Sequence, residues 1–149
     1  MKHAPPWDRL KDIAAKRRDA QAQRLGALTR ERDEAAKRLE MLVGYRADYE
    51  ARLANAARDG IDPTELRNYQ AFLAQLTRAI AQQTDIVGAA ERGVRGAKAQ
   101  WTSEHQRVES FQALDVRHAT GVAREEQRRA QKLTDEWSAR NGPRETTER

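Results

Sequence analysis

The sequence predicts an all-α protein, an elongated antiparallel two-helix coiled-coil hairpin. Three observations predict it: two long apolar stripes and the turn written between them. Residues 66–111 carry Leu66, Tyr69, Leu73, Leu76, Ile80, Gln83, Val87, Ala90, Val94, Ala97, Trp101, Glu104, Val108 and Phe111 at unbroken 3-4 spacing, and twelve of these fourteen are apolar. A helix turns once every 3.6 residues, so this spacing draws a single narrow stripe down a long helix. A narrow stripe needs a partner helix rather than a globular core. Leu25, Leu28, Arg32, Ala35, Leu39, Leu42, Arg46, Tyr49, Leu53 and Ala56 supply one, with eight of ten apolar.

The first helix is expected over about 7–58 and the second over about 63–140, with the turn at 59–62 and a disordered tail at 141–149. Gly60 can take the positive φ that closes a helix. Asp62 suits the N-cap position, followed by Pro63 at the first helical position and Glu65 three residues past the cap. A short loop makes the two helices antiparallel neighbours. Centring the hairpin near Ile61 sets residue 10 opposite residue 112, so the rest of the second helix overhangs its partner. Asn141-Gly142-Pro143 ends that helix.

Composition agrees with a charged rod: 34% of the 149 residues are charged and 5% aromatic. The apolar residues are periodic rather than scarce, which argues against disorder. Absence of cysteine excludes disulfides and thiolate metal sites. No apolar run approaches the roughly 20 residues of a membrane span. The opening Met1-Lys2-His3-Ala4-Pro5-Pro6-Trp7-Asp8 lacks the apolar centre of a signal peptide, so a cytosolic location is expected.

The net charge of +5 is unevenly placed. Residues 1–32 hold nine Lys/Arg against four Asp/Glu, residues 117–149 eight against six, and residues 33–116 eleven against thirteen. An antiparallel hairpin brings both termini to one end, making that end basic. A basic end suits an acidic protein surface, a nucleic acid or an anionic membrane, and equally a merely solvated face. The apolar rhythm also weakens there. Lys11, Ala14, Arg18 and Gln21 continue it, whereas Leu10 and Ile13 fall out of phase, and Asp115 and His118 follow Phe111. Leu133 and Trp137 return out of step. Such an end reads as a partner-binding tip or as a fraying terminus. Removal of residues 1–15 is expected to leave most of the hairpin folded.

No catalytic constellation or metal face is evident. His105 and His118 are thirteen residues apart, which fits neither an i,i+3 nor an i,i+4 ligand pair, and both read as solvated helix residues. Gly88, Gly93 and Gly96 follow no strand and do not form a dinucleotide loop. With Ala89, Ala90 and Ala97 they read as a site of close helix approach or a hinge. Carboxylates fit i,i+4 pairing, as for Glu34 with Arg38. One feature exceeds what a zipper needs. Tyr45, Phe72 and Ala79 flank the seam beside Leu42, Tyr49 and Leu76, broadening it into an apolar strip near the turn. An exposed aromatic strip on a charged rod fits a binding surface; the plainer reading is that Tyr45 and Phe72 cover the seam edge.

Three runs give the chain a family resemblance: Leu10-Lys11-Asp12-Ile13-Ala14, Met41-Leu42-Val43-Gly44-Tyr45-Arg46-Ala47-Asp48-Tyr49 and Asn68-Tyr69-Gln70-Ala71-Phe72. With the turn joining them, they resemble the FliJ family of the bacterial flagellar type III export apparatus. The resemblance implies a non-enzymatic hairpin similar to the central stalk of rotary ATPases, with no cofactor. It implies three partners: the hexameric flagellar export ATPase, the membrane-embedded export gate and the export chaperones, which the protein recycles. It implies a location at the inner face of the cytoplasmic membrane at the flagellar base. Carried over by position, the gate-facing residues are Leu42, Tyr45, Tyr49, Phe72, Leu76 and Ala79. Arg38 and Gln83 depart from the family pattern of Gln and His at those two positions. The ATPase-binding end is expected to include Leu10, Lys11, Ile13, Arg17, Arg18, Arg128 and Leu133. Stalk proteins of virulence type III secretion share the architecture, and a pI of about 9.9 keeps a nucleic-acid-binding coiled coil as an alternative. Against that alternative, the second helix lacks an uninterrupted basic face, so no nucleic-acid partner is expected.

Overall fold

A computed structural model describes residues 4–143. It consists of α1, Asp8–Asp59, and α2, Pro63–Asn141, packed against each other along one seam. At 1.5 Å per residue, α1 is about 78 Å long and α2 about 118 Å. The chain is therefore an all-α helical hairpin. The expected tail lies outside the described residues from 144 onward.

The turn follows from local chemistry. Gly60 has φ +91°, a conformation that L side chains rarely adopt. Pro63 occupies the first turn of α2, where a missing N–H costs nothing. Asp62 sits at the N-cap in an extended conformation, but its carboxylate makes no capping bond. Its backbone carbonyl accepts the Leu66 N–H at 3.0 Å, the first bond of the helix. At the far end a Cβ on Gly142 would stand 2.6 Å from the Ser138 carbonyl oxygen, so the chain leaves α2 at a residue with no side chain.

The seam follows the sequence rhythm. All ten α1 positions from Leu25 to Ala56 and all fourteen α2 positions from Leu66 to Phe111 are half-buried or buried. The best-shielded residues are Ala14, Ala35, Leu76, Ala97 and Val108. Polar members are accommodated individually. Arg32 turns its guanidinium outward to Asp33 at 3.0 Å, and Arg46 lies 3.9 Å from Glu50, so their aliphatic stems cover the seam while their charges stay wet. Gln83 donates across the hairpin to the Ala35 carbonyl at 3.0 Å.

Three expectations need correction. The glycines of α2 do not serve close approach: a Cβ at Gly93 or Gly96 would meet nothing within 4 Å, and one at Gly88 only its own neighbour Arg92. Glu34 and Arg38 do not pair; the i,i+4 pairs that form include Arg129–Glu125 and His105–Glu109. His105 is half-buried and stacks on Trp101 at 4.8 Å with the rings 8° apart, so it covers the seam edge instead of projecting into water.

Candidate functional site

Two regions present side chains that the hairpin itself does not consume. The first lies near the turn. Leu42, Tyr49 and Leu76 belong to the seam, and Leu76 is buried. Tyr45, Phe72 and Ala79 stand beside it on one face, Tyr45 with 52% of its surface exposed and Phe72 with 38%. Tyr49 organises the group. Its ring lies 4.2 Å from that of Phe72 and 5.6 Å from that of Tyr69, and the Arg52 guanidinium sits 5.6 Å above it. Aromatic pairs at this separation are favourable beyond their area alone. Phe72 is thus half anchored to the hairpin, whereas Tyr45 has no aromatic partner within stacking range among the described residues. Tyr49, Glu65, Asn68 and Tyr69 line a shallow notch that prolongs the strip toward the turn. Periodicity assigned Tyr69 only to the seam; the structure also places it in the wall of this notch.

The second region is the end where the termini meet, and here the sequence rhythm misleads. The indole N–H of Trp7 donates to Asp115 at 2.8 Å, and the Lys11 ammonium donates to the other oxygen of the same carboxylate at 2.7 Å. His118 packs edge-on against Trp7 at 5.5 Å. Asp115 does not interrupt the seam but closes it with polar contacts, and His118, itself exposed, covers one edge of Trp7. Ala14, one turn further in, is buried. The described residues of this segment, 4–15, therefore contribute more to the hairpin than apolar counting suggests, and removal of residues 1–15 is expected to loosen the base. Trp7 and Asp115 were not identifiable as partners from apolar periodicity, because the signal is one of hydrogen bonding across 108 residues.

The clasp has a definite pH behaviour. The Lys11 hydrogen bond, and then that of Trp7, hold the Asp115 carboxyl below its ordinary range against the opposing effect of burial. The same bond raises the Lys11 ammonium above its ordinary value. A depressed carboxyl contributes stability above its unfolded pKa and loses it as pH falls through the folded one. A raised ammonium contributes below its unfolded pKa and loses that as pH rises through the folded one. The Lys11–Asp115 pair thus weakens in acid with a midpoint shifted below the ordinary aspartate value, and in base with one shifted above the ordinary lysine value. The acid transition of the Trp7 indole N–H resonance should accordingly have its midpoint below the ordinary aspartate value. Movement centred on that ordinary value would show that the pair does not form.

The residues expected at the ATPase-binding end divide into two groups. Leu10, Ile13 and Arg17 are exposed and share a shallow groove with Arg107 and Phe111. Lys11 and Arg18 lie on the seam side, Lys11 in the clasp and Arg18 paired with Asp19 at 3.3 Å. Arg128 and Leu133 are elsewhere, roughly 20–27 Å beyond Asp115 along α2. From Val116 to Pro143 every residue is exposed, because α1 has ended. This single-helix overhang carries large apolar side chains with no cover: Leu133 and Trp137 each expose 67% of their surface. No helix among the described residues is long and apolar enough to cross a membrane, and no cluster of three or more metal-ligating side chains occurs among them.

Fold and surfaces together define a long helical hairpin with an exposed apolar strip near its turn and an unpaired stretch of α2 at its other end. A family model described as the flagellar FliJ protein matches residues 3–146. The flagellar FliJ protein of Escherichia coli (strain K12) is 32% identical over 131 residues, covering 88% of this chain and 89% of that protein. The flagellar FliJ protein of Salmonella typhi matches to the same extent, 32% over 131 residues. The chain belongs to the flagellar FliJ family, a family of non-catalytic components of flagellar export.

Proposed function

We propose that this chain is the stalk of the flagellar export ATPase, binding the hexameric enzyme through its terminal end, promoting its assembly and coupling it to the membrane export gate through the strip near the turn. In this reading it works at the inner face of the cytoplasmic membrane and recycles emptied export chaperones. The observation that carries the reading is the overhang of α2. A helix that leaves its partner with Leu133 and Trp137 uncovered, among Arg124, Arg128, Arg129 and Lys132, is suited to the inside of a ring-shaped partner. The strip of Tyr45, Phe72 and Ala79 at the opposite end leaves a second surface for a second partner. The family match favours the flagellar stalk over its virulence counterparts.

ATP hydrolysis by the cognate export ATPase tests the terminal assignment. The double variant Leu133→Ala, Trp137→Ala removes two exposed side chains, so its melting temperature should stay within the range of ordinary surface changes, about 0.5 kcal/mol each. Stimulation of the ATPase should be lost. Normal stimulation by the folded variant would remove the overhang from the interface. Steep salt-dependent binding to duplex DNA would instead favour the nucleic-acid reading.

A further inference from the structure

The strip near the turn has charged ends. On α1, Arg38, Tyr45 and Arg52 follow one another at intervals of seven residues, and on α2 so do Phe72, Ala79 and Ile86. A seven-residue step returns almost to the same side of a helix, so each trio forms a lane parallel to the seam. In an antiparallel hairpin the lane holding Tyr45 and the lane holding Phe72 border the same groove. Ile86 exposes 52% of its surface, and the small Ala79 between it and Phe72 is half-buried. The two arginines are exposed, and neither forms an ion pair among the described residues. They stand about 21 Å apart, one at each end of the Tyr45 lane.

We infer that the strip receives a third helix, an amphipathic segment with an apolar stripe of at least two heptads and carboxylates set to meet Arg38 and Arg52. This rests on the reading of the strip as the gate-binding surface and specifies the chemistry of the gate segment. Heptad spacing on both lanes is what a third helix needs to seat its side chains as knobs in the holes of a hairpin. An extended strand would present side chains at a different period and would not match both lanes. The Arg38 guanidinium at one end and the Arg52 guanidinium, which lies over the Tyr49 ring at the other, carry no ion pair among the described residues, so they select for acidic flanks and fix the register. Ile86 extends the surface beyond the six residues that the family resemblance supplies.

The test uses the full chain and the cytoplasmic part of the export gate protein, with binding measured at low and high salt. Three variants are compared: Phe72→Ala, Ile86→Ser and the double reversal Arg38→Glu, Arg52→Glu. All should fold, as their circular dichroism will report. Ile86→Ser should weaken binding about tenfold through loss of an apolar anchor. The double reversal should weaken it by about tenfold or more at low salt, and the deficit should shrink as salt screens the charges. Loss of binding in Phe72→Ala alone, with the other two variants at wild-type affinity, overturns the acid-flanked helix and leaves the gate reading standing. Absence of binding by the unmodified chain overturns both. Tighter binding by the double reversal assigns the strip a basic partner and overturns the inference.

Discussion

Val108→Asp is expected to be the most damaging single change to the fold. Val108 has 4% of its surface exposed and sits on the α2 stripe three residues before Phe111. A carboxylate there would be buried against α1 without a partner, a situation that costs about 3 kcal/mol or more. In a chain of this length each kcal/mol shifts the melting temperature by about 2–4 °C, so thermal unfolding followed by circular dichroism should drop by roughly 10 °C. Val116, one helical face round and 66% exposed, supplies the control. Val116→Asp should melt within a degree or two of the unmodified chain, about 0.5 kcal/mol. Equal losses at the two valines would mean that the seam does not run where the hairpin places it.

The second large effect concerns binding. The double variant Tyr45→Ala, Phe72→Ala should abolish measurable association with the export gate, because truncation of aromatic anchors at an interface commonly costs about 2 kcal/mol or more each. The two residues should differ in what they cost the free protein. Tyr45 is 52% exposed and makes no aromatic contact among the described residues, so its removal should leave the melting temperature nearly unchanged. Phe72 lies 4.2 Å from Tyr49, and losing that pair should cost about 0.5–1.5 kcal/mol. Stimulation of the export ATPase should survive in the double variant, because the overhang lies at the other end of the rod. A variant that melts early yet still binds the gate would show that both side chains serve packing alone. Joint loss of both activities would show that the two surfaces are not separable.

The stripes were legible in the sequence because a two-helix seam is a one-dimensional object. Each position from Leu25 to Ala56 and from Leu66 to Phe111 reports through a single variable, the angle at which it leaves its own helix. Gly60 and Pro63 punctuate the turn for reasons confined to their own backbones, and so needed no tertiary information either. The strip near the turn was legible for a related reason: Tyr45, Phe72 and Ala79 are bulky or apolar residues just outside the stripe angle, and the family resemblance singled out the same positions.

Amino-acid order by itself determined the hairpin, its register and the overhang of α2. Tertiary structure alone decided how the termini are held together. Lys11, Asp115 and His118 looked like a seam running out of apolar residues, and with Trp7 they form a clasp because the Asp115 carboxylate reaches the Trp7 indole N–H and the Lys11 ammonium at 2.8 and 2.7 Å. It also decided that Gln83 ties α2 to the Ala35 carbonyl and that the α2 glycines bring no backbone close. Apolar periodicity records which side of a helix leaves water. Hydrogen bonds between polar side chains depend on distances between helices, and those are set only when the two rods meet.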